Sequence, residues 1–409
     1  MISVSKLLYG LDAEGDGLRY GDGDSSAEQI RERRQRRPVV VWNGTKRCNL
    51  SCAHCYAGAD VGAAPGELST AEAKGMLDEL ADYGVPVVLF SGGEPLVRED
   101  LEELVAHAND AGLRPVLSTN GTLLTRERAR DLRDAGLAYA GVSVDGRREV
   151  NDDFRGQEGA FDAAIRGIES CLDVGLKTGL RYTVTEATVP DMEEVVDLLT
   201  DVGVDRFCFY HLAYGGRGVP DADITPGARR EAVERLIDLT REYHEAGEEI
   251  ETLLVGNYCD AAYLVAYARR EFGPERAERV RRYLEVNGGD PAGERVADID
   301  YQGNVHATQF WQSYSLGNVR DRPFGDIWED ESNPLLGRLR DRPDSLGAEC
   351  RGCAYSDICR GASRLRALTV EGEFGARDPQ CYLTPAERAG PDAVDPDTGG
   401  SGSPPSTAD

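Results

Sequence analysis

Ten cysteines punctuate this 409-residue chain, and seven of them fall into two tight groups. Cys48, Cys52 and Cys55 lie in TKRCNLSCAHCY with C-x3-C-x2-C spacing; Cys350, Cys353 and Cys359 form a C-x2-C-x5-C run, followed by Cys381. In a chain whose opening does not read as a secretory signal, clustered thiols are metal ligands before they are disulfides. Three thiolates on a short loop can hold three irons of a 4Fe–4S cube and leave the fourth iron open to a small-molecule ligand. A zinc loop completed by His54 is the competing reading, although structural zinc prefers C-x2-C pairs and a closed set of four ligands. The four downstream thiols make such a closed set. It suits a cluster with no open iron or a structural zinc, because spacing alone does not separate the metals. Cys171, Cys208 and Cys259 stand alone; Cys259 could be an unexpected ligand, but isolated cysteines are core residues by default.

The elements that must position these groups show in the hydrophobic pattern. PVVVW (38–42), VPVVLF (85–90), LRPVLS (113–118), LAYAGVSVD (137–145), TGLRYTV (178–184) and DRFCFYH (205–211) read as strands, each followed by a helical pattern. Ser69 and Glu72 form a capping box ahead of Met76, Leu77 and Leu80. Strands alternating with helices predict an α/β fold, a parallel sheet curved into a partial (β/α)6 barrel. Chemistry in such barrels sits in the loops after the strands, where Cys48, Cys52 and Cys55 fall. We divide the chain into a flexible arm (1–37), the barrel (38–250), linker helices with a smaller cysteine-bearing module (251–385), and a disordered acidic tail (386–409). Within the third part, a helical region to about 285 precedes a Gly-rich turn (NGGDPAGE) and a hairpin around DYQGNVHATQF.

Composition narrows the partners. With 46 basic and 73 acidic residues the net charge is −27, which excludes a general nucleic-acid binder. No apolar run is long enough for a bilayer, and the opening MISVSKLLYGLDAEGDG lacks the apolar core of a secretory signal. The expected compartment is the cytoplasm, with no membrane partner. Lys6, Lys46, Lys74 and Lys177 are the only lysines, and an acidic, lysine-poor chain suits a high-salt cytoplasm where screening weakens self-repulsion.

The motifs together resemble the radical S-adenosylmethionine (SAM) superfamily. The C-x3-C-x2-C loop ends in Tyr56, Ser91-Gly92-Gly93-Glu94-Pro95 closes the second strand, and Asn120-Gly121 closes the third. On the fourth strand the two-residue period puts Ser143 and Asp145 on one side, the expected cavity side. The resemblance implies that the open iron of a SAM-binding 4Fe–4S cluster chelates the methionine part of SAM. It further implies that Tyr56, Gly92, Gly93, Glu94, Pro95 and Asn120 lie around that cofactor, and that Ser143 and Asp145 meet its ribose. An electron passed through the cluster would then yield methionine and a 5′-deoxyadenosyl radical. The second cysteine group resembles part of the SPASM extension of such enzymes. Two cysteines of the full pattern are replaced by Thr308 and Ser363, which leaves one auxiliary 4Fe–4S cluster on Cys350, Cys353, Cys359 and Cys381.

The opening ISVSKLL, the entry PVVVWNGTKRCNL, HLAYGGRG after the sixth strand and GNVHATQFWQSYSLGNVRDRPFGDIW resemble the heme-tailoring branch of that superfamily. The resemblance implies a tetrapyrrole substrate and an electron donor such as a ferredoxin. Within the branch, the missing cysteines favour removal of acetate side chains from didecarboxysiroheme over decarboxylation of Fe-coproporphyrin to heme or a step toward d1-type heme. Arg217, just past the sixth strand, is expected to anchor a substrate carboxylate through its fork. His211 at the strand end, and His306, are candidate ligands or proton donors, while Phe310 and Trp311 read as module core. Competing classes are a peptide-modifying SPASM enzyme and a non-catalytic iron–sulfur scaffold. All three cysteines of the first group are present, and the short arm offers no evident peptide-docking domain.

Overall fold

The structure, a computed structural model, describes residues 1–21, 37–59, 61–62 and 64–390. The chain opens with a two-residue strand, β1 (Ile2–Ser3), and the six expected strands follow as β2 (Val39–Asn43), β3 (Val87–Ser91), β4 (Arg114–Thr119), β5 (Ala140–Ser143), β6 (Thr178–Val184) and β7 (Arg206–His211). They pair in parallel in sequence order. The connecting helices include α1 (Thr70–Tyr83), α2 (Leu101–Asp110), α3 (Arg126–Asp134), α4 (Arg148–Arg155), α5 (Ala160–Asp173) and α6 (Met192–Val202). Ser69 caps α1 as its sequence requires: its side chain accepts from Glu72 N and the Glu72 carboxylate accepts from Ser69 N at 2.8 Å. The helix then buries Ala73, Met76, Leu77 and Leu80 against the sheet. A buried leucine of this kind is worth roughly 1.5–3 kcal/mol.

The sheet extends past the barrel at both edges without closing. After the long helix α7 (Pro226–Ala246), β8 (Glu251–Val255) adds in parallel to β7, and β1 adds antiparallel to β8 with Ile2 opposite Leu254. Two helices, α8 (Cys259–Phe272) and α9 (Pro274–Asn287), lead to β9 (Val296–Ile299), which pairs in parallel with β2. The expected hairpin is there, as β9 with β10 (Asn304–His306), and β11 (Gly317–Asn318) ends the sheet. The C-terminal module is therefore rooted in the barrel sheet itself, and its loops reach the same end of the strands as the first cysteine group.

Three expectations are corrected. Residues 1–21 are not a loose arm: Val4, Leu7, Leu8 and Tyr20 are buried, Ser3 N donates to the Tyr20 hydroxyl at 2.6 Å, and Arg19 pairs with Glu251. The open backbone edge of β8 holds this segment, a partner invisible from its own short apolar pattern. The linker begins not with helix but with β8, whose five residues carry no length signal. Residues Pro385–Ala389 form a capped helix, with Thr384 and Glu387 as its capping box. The rest of the expected arm (22–36) and tail (391–409) lies outside the described residues. Among the described residues no helix is long and apolar enough to cross a membrane.

Candidate active site

The loop after β2 carries Cys48, Cys52 and Cys55 over the strand ends, and the turn after β3 supports it. Gly44 N donates to Ser91 O at 3.0 Å, Gly93 N to Thr45 O at 2.7 Å and Glu94 N to Arg47 O at 2.8 Å. The two glycines make that approach possible. A Cβ at Gly92 (φ +137°) would stand 2.4 Å from Thr45 O, and one at Gly93 2.2 Å from Arg47 O. The proline and glutamate of this turn work inward. Pro95 starts a short 3-10 turn, and the fully buried Glu94 carboxylate accepts from Leu96 N, Thr119 Oγ1 and Asn120 N at 3.1, 2.7 and 2.8 Å. Burial pushes its pKa up. Glu94 thus ties the end of β3 to the end of β4, while Gly92 and Gly93 line the cavity wall.

One cavity unites residues from nearly every strand end: the three cysteines, Tyr56, Ser91, Gly92, Gly93, Asn120 and Ser143 all line it. Polar groups converge on the sulfurs. Leu50 N lies 3.4 Å and Asn120 Nδ2 3.9 Å from Cys48 Sγ, and Arg155 Nη1 lies 3.7 Å from Cys52 Sγ. Donors aimed at sulfur stabilise thiolate ligands and the anionic cluster they carry. The three thiols share one cavity wall. His54 lines the same cavity, stacks on Phe154 with ring centroids 4.3 Å apart, and burial holds its pKa down at about 4. Tyr56 donates to Asn43 Oδ1 at 3.0 Å, and Asn43 donates on to Asp298 of β9 at 2.8 Å. The module thereby touches the loop, and Phe310 meets the Tyr56 ring edge-on at 5.2 Å.

Several sequence assignments change in three dimensions. Asp145 does not line the cavity. It is wholly buried, pairs with Arg155 and accepts from Thr183 N at 2.6 Å, so it positions the arginine that faces Cys52. Asp145 lies beyond the last residue of β5, where α4 folds over the strand end. His211 is a satisfied core residue: Arg229, which can only donate, gives a hydrogen bond to Nδ1 at 2.7 Å, so Nε2 carries the proton toward Asp260 at 2.8 Å. Neither nitrogen is free for a ligand. Arg217 lines the cavity and braces the cysteine loop, with Nε donating to Cys52 O at 2.7 Å, Nη1 to Ala59 O at 2.9 Å and its own N–H to Cys55 O at 2.9 Å, while Nη2 has no partner among the described residues. His306 faces Tyr314 O and Asp300 at 2.9 and 3.4 Å. Trp311 is core, as expected, but Phe310 and Gln309 line the cavity.

The second cysteine group lines its own cavity, where Cys350, Cys353, Cys359 and Cys381 come together with Cys259 from the start of α8. Cys259 Sγ donates to Gln380 O at 3.8 Å, and its side chain beside Cys381 holds that thiol below the ordinary range. Sequence reasoning left Cys259 in the core because nothing local to it signals the site. It likewise missed Arg155 and Arg181; for Arg181 the alternation Gly179, Arg181, Thr183 against Leu180, Tyr182, Val184 was an available signal.

A barrel of this topology, with three cysteines after its first strand and a four-cysteine module rooted in the same sheet, defines a class. The chain matches the radical SAM superfamily over residues 42–199 and the SPASM iron–sulfur cluster-binding domain over residues 291–354, and it belongs to the radical SAM family. Its cofactors are SAM and 4Fe–4S clusters, one binding SAM in the barrel and an auxiliary one in the SPASM module. Over 95% of its length it is 46% identical to the Fe-coproporphyrin III synthase of Methanosarcina barkeri, covering 98% of that protein. It is 41% identical to the pre-heme d1 synthase of Dinoroseobacter shibae over 86% of this chain and 87% of that one. These place it in the heme-tailoring branch, as an enzyme acting on a tetrapyrrole. In fold it is similar to Streptococcus suis SuiB bound to S-adenosylmethionine, with TM-score 0.68 at 19% identity, covering 85% of this chain and 77% of that one.

Proposed function

We propose that this enzyme removes the acetate side chains of 12,18-didecarboxysiroheme to give Fe-coproporphyrin III. The observation that carries this reading is the near full-length similarity to an Fe-coproporphyrin III synthase. In this reading Cys48, Cys52 and Cys55 hold the SAM-binding cluster, and Cys350, Cys353, Cys359 and Cys381 hold the auxiliary one. The bound cofactors supply a 5′-deoxyadenosyl radical on one-electron reduction. The chain's own residues do the rest. Gly92, Gly93, Asn120, Ser143 and Tyr56 shape the wall against which SAM lies. Glu94, Pro95 and Asp145 brace that wall from behind, Arg217 clamps the cysteine loop, and Gln309 and Phe310 bring the module to the cavity mouth. A ferredoxin-class protein is the expected electron donor, and the cytoplasm the expected compartment.

The similarity to a pre-heme d1 synthase supports a second reading, in which different side chains of the same macrocycle are attacked. Anaerobic incubation of reconstituted protein with SAM, dithionite and didecarboxysiroheme separates the two. Formation of Fe-coproporphyrin III by mass analysis and absorbance, with loss of both acetates, supports the first reading. A product that keeps the acetates refutes it.

A further inference from the structure

Arg181 sits in the middle of β6, where Leu180, Tyr182 and Val184 are wholly buried on the outer side while Arg181 and Thr183 face the cavity lined by the three cysteines. Its Nη1 donates to Ser118 Oγ on β4, its guanidinium carbon stands 5.3 Å from the Tyr210 ring centroid, and its Nε has no partner among the described residues. Among the described residues the hydrogen-bond and ring contacts of its guanidinium are with Ser118 and Tyr210, not with a carboxylate. The other two arginines of the cavity hold structural partners, Arg155 the Asp145 carboxylate and Arg217 the carbonyls of Cys52 and Ala59, although Arg155 Nε and Arg217 Nη2 also lack a partner among the described residues. Room has been left for Arg181, because a Cβ at Gly141 on the neighbouring strand would stand 2.7 Å from Nε. A guanidinium buried without a counter-charge is costly, and a planar fork facing a cavity suits a carboxylate.

We infer that Arg181 anchors a carboxylate of a molecule bound inside the barrel, below the cysteine loop. Two bound molecules carry that chemistry: the tetrapyrrole, through a propionate or acetate, and SAM, through its amino-acid end. The tetrapyrrole arm rests on the function proposed above, and the SAM arm does not.

The experiment compares reconstituted wild type, Arg181→Lys and Arg181→Gln in two titrations, didecarboxysiroheme by absorbance and SAM by equilibrium dialysis. Losing a charge-assisted hydrogen-bonding partner should weaken one of the two affinities by about ten- to hundred-fold in Arg181→Gln. Arg181→Lys, which keeps the charge without the fork, should fall between. A loss confined to the tetrapyrrole makes Arg181 a substrate anchor; a loss confined to SAM makes it a cofactor anchor. Unchanged affinity for both, in variants that load iron and melt like wild type, overturns the inference. Should Arg181→Gln fail to load iron, Arg181→Lys decides on the same criteria. A wild type that binds SAM but no tetrapyrrole refutes the proposed function and leaves the SAM arm to judge Arg181.

Discussion

Alanine at Gly93 would put a methyl group 2.2 Å from Arg47 O, 2.7 Å from its carbonyl carbon and 2.9 Å from Lys46 O. All three are backbone atoms immediately before Cys48, so no side chain can swing aside. Restoring an ordinary contact of about 3.4 Å moves the loop by more than about 1 Å. That shift strikes the two hydrogen bonds holding the loop to the turn, Gly93 N to Thr45 O and Glu94 N to Arg47 O. Two backbone bonds at about 1 kcal/mol each, with overpacking of about 1–3 kcal/mol, make a local cost of roughly 3–5 kcal/mol. The cost falls on the loop that presents three thiols, while the second cysteine group is held by other elements. Gly93→Ala should therefore keep about half the iron of wild type after anaerobic reconstitution, by the count of four irons per cluster, and lose reductive cleavage of SAM. Gly75 in α1 serves as the control: a Cβ there meets nothing within 4 Å, so Gly75→Ala should leave iron unchanged and stabilise by up to about 1 kcal/mol. Full iron loading and wild-type SAM cleavage in Gly93→Ala would refute the close-packing argument.

Arg217→Ala should loosen the cysteine loop by about 2–3 kcal/mol, the net worth of hydrogen bonds from a charged donor, and be seen first as iron lost from the SAM-binding site; Arg217→Lys should retain more. Normal iron with weakened tetrapyrrole binding would instead restore Arg217 as a substrate anchor. Burial holds His211 neutral with its pKa below the ordinary value, whereas the unfolded chain takes up a proton near pH 6.5. Its contribution to stability is thus complete above about pH 6.5 and declines as the pH falls below it. Thermal melts from pH 7.5 to 5.5 should show a shallower decline for His211→Gln, and parallel curves would contradict the assignment. Cys353→Ala should lose about half the iron yet still cleave SAM, whereas Cys259→Ser should hold wild-type iron; a half-loaded Cys259→Ser protein would move Cys259 into the ligand set.

What the sequence determined by itself are the features whose signal is local. Cys48, Cys52 and Cys55 declare a metal-binding loop through spacing, Ser69 and Glu72 declare a helix start, and β6 carries a two-residue period that sets Leu180 apart from Arg181. The close backbone approach at Gly92 and Gly93, to Thr45 and Arg47, is a fact of the folded sheet. The tertiary structure alone decided the rest, because burial and hydrogen-bond satisfaction depend on partners far away in the chain. His211 is spent because Arg229 and Asp260 reach both its nitrogens. Arg217 braces the cysteine loop because that loop passes over its Nε and Nη1, and Asp145 is covered because α4 brings Arg155 onto it. Ile2 belongs to the sheet because β8 leaves it an open edge, and Cys259 reaches the auxiliary cavity because α8 begins beside Cys381. Local spacing specifies what a side chain can do; the packing of distant elements specifies which of those capacities is still free.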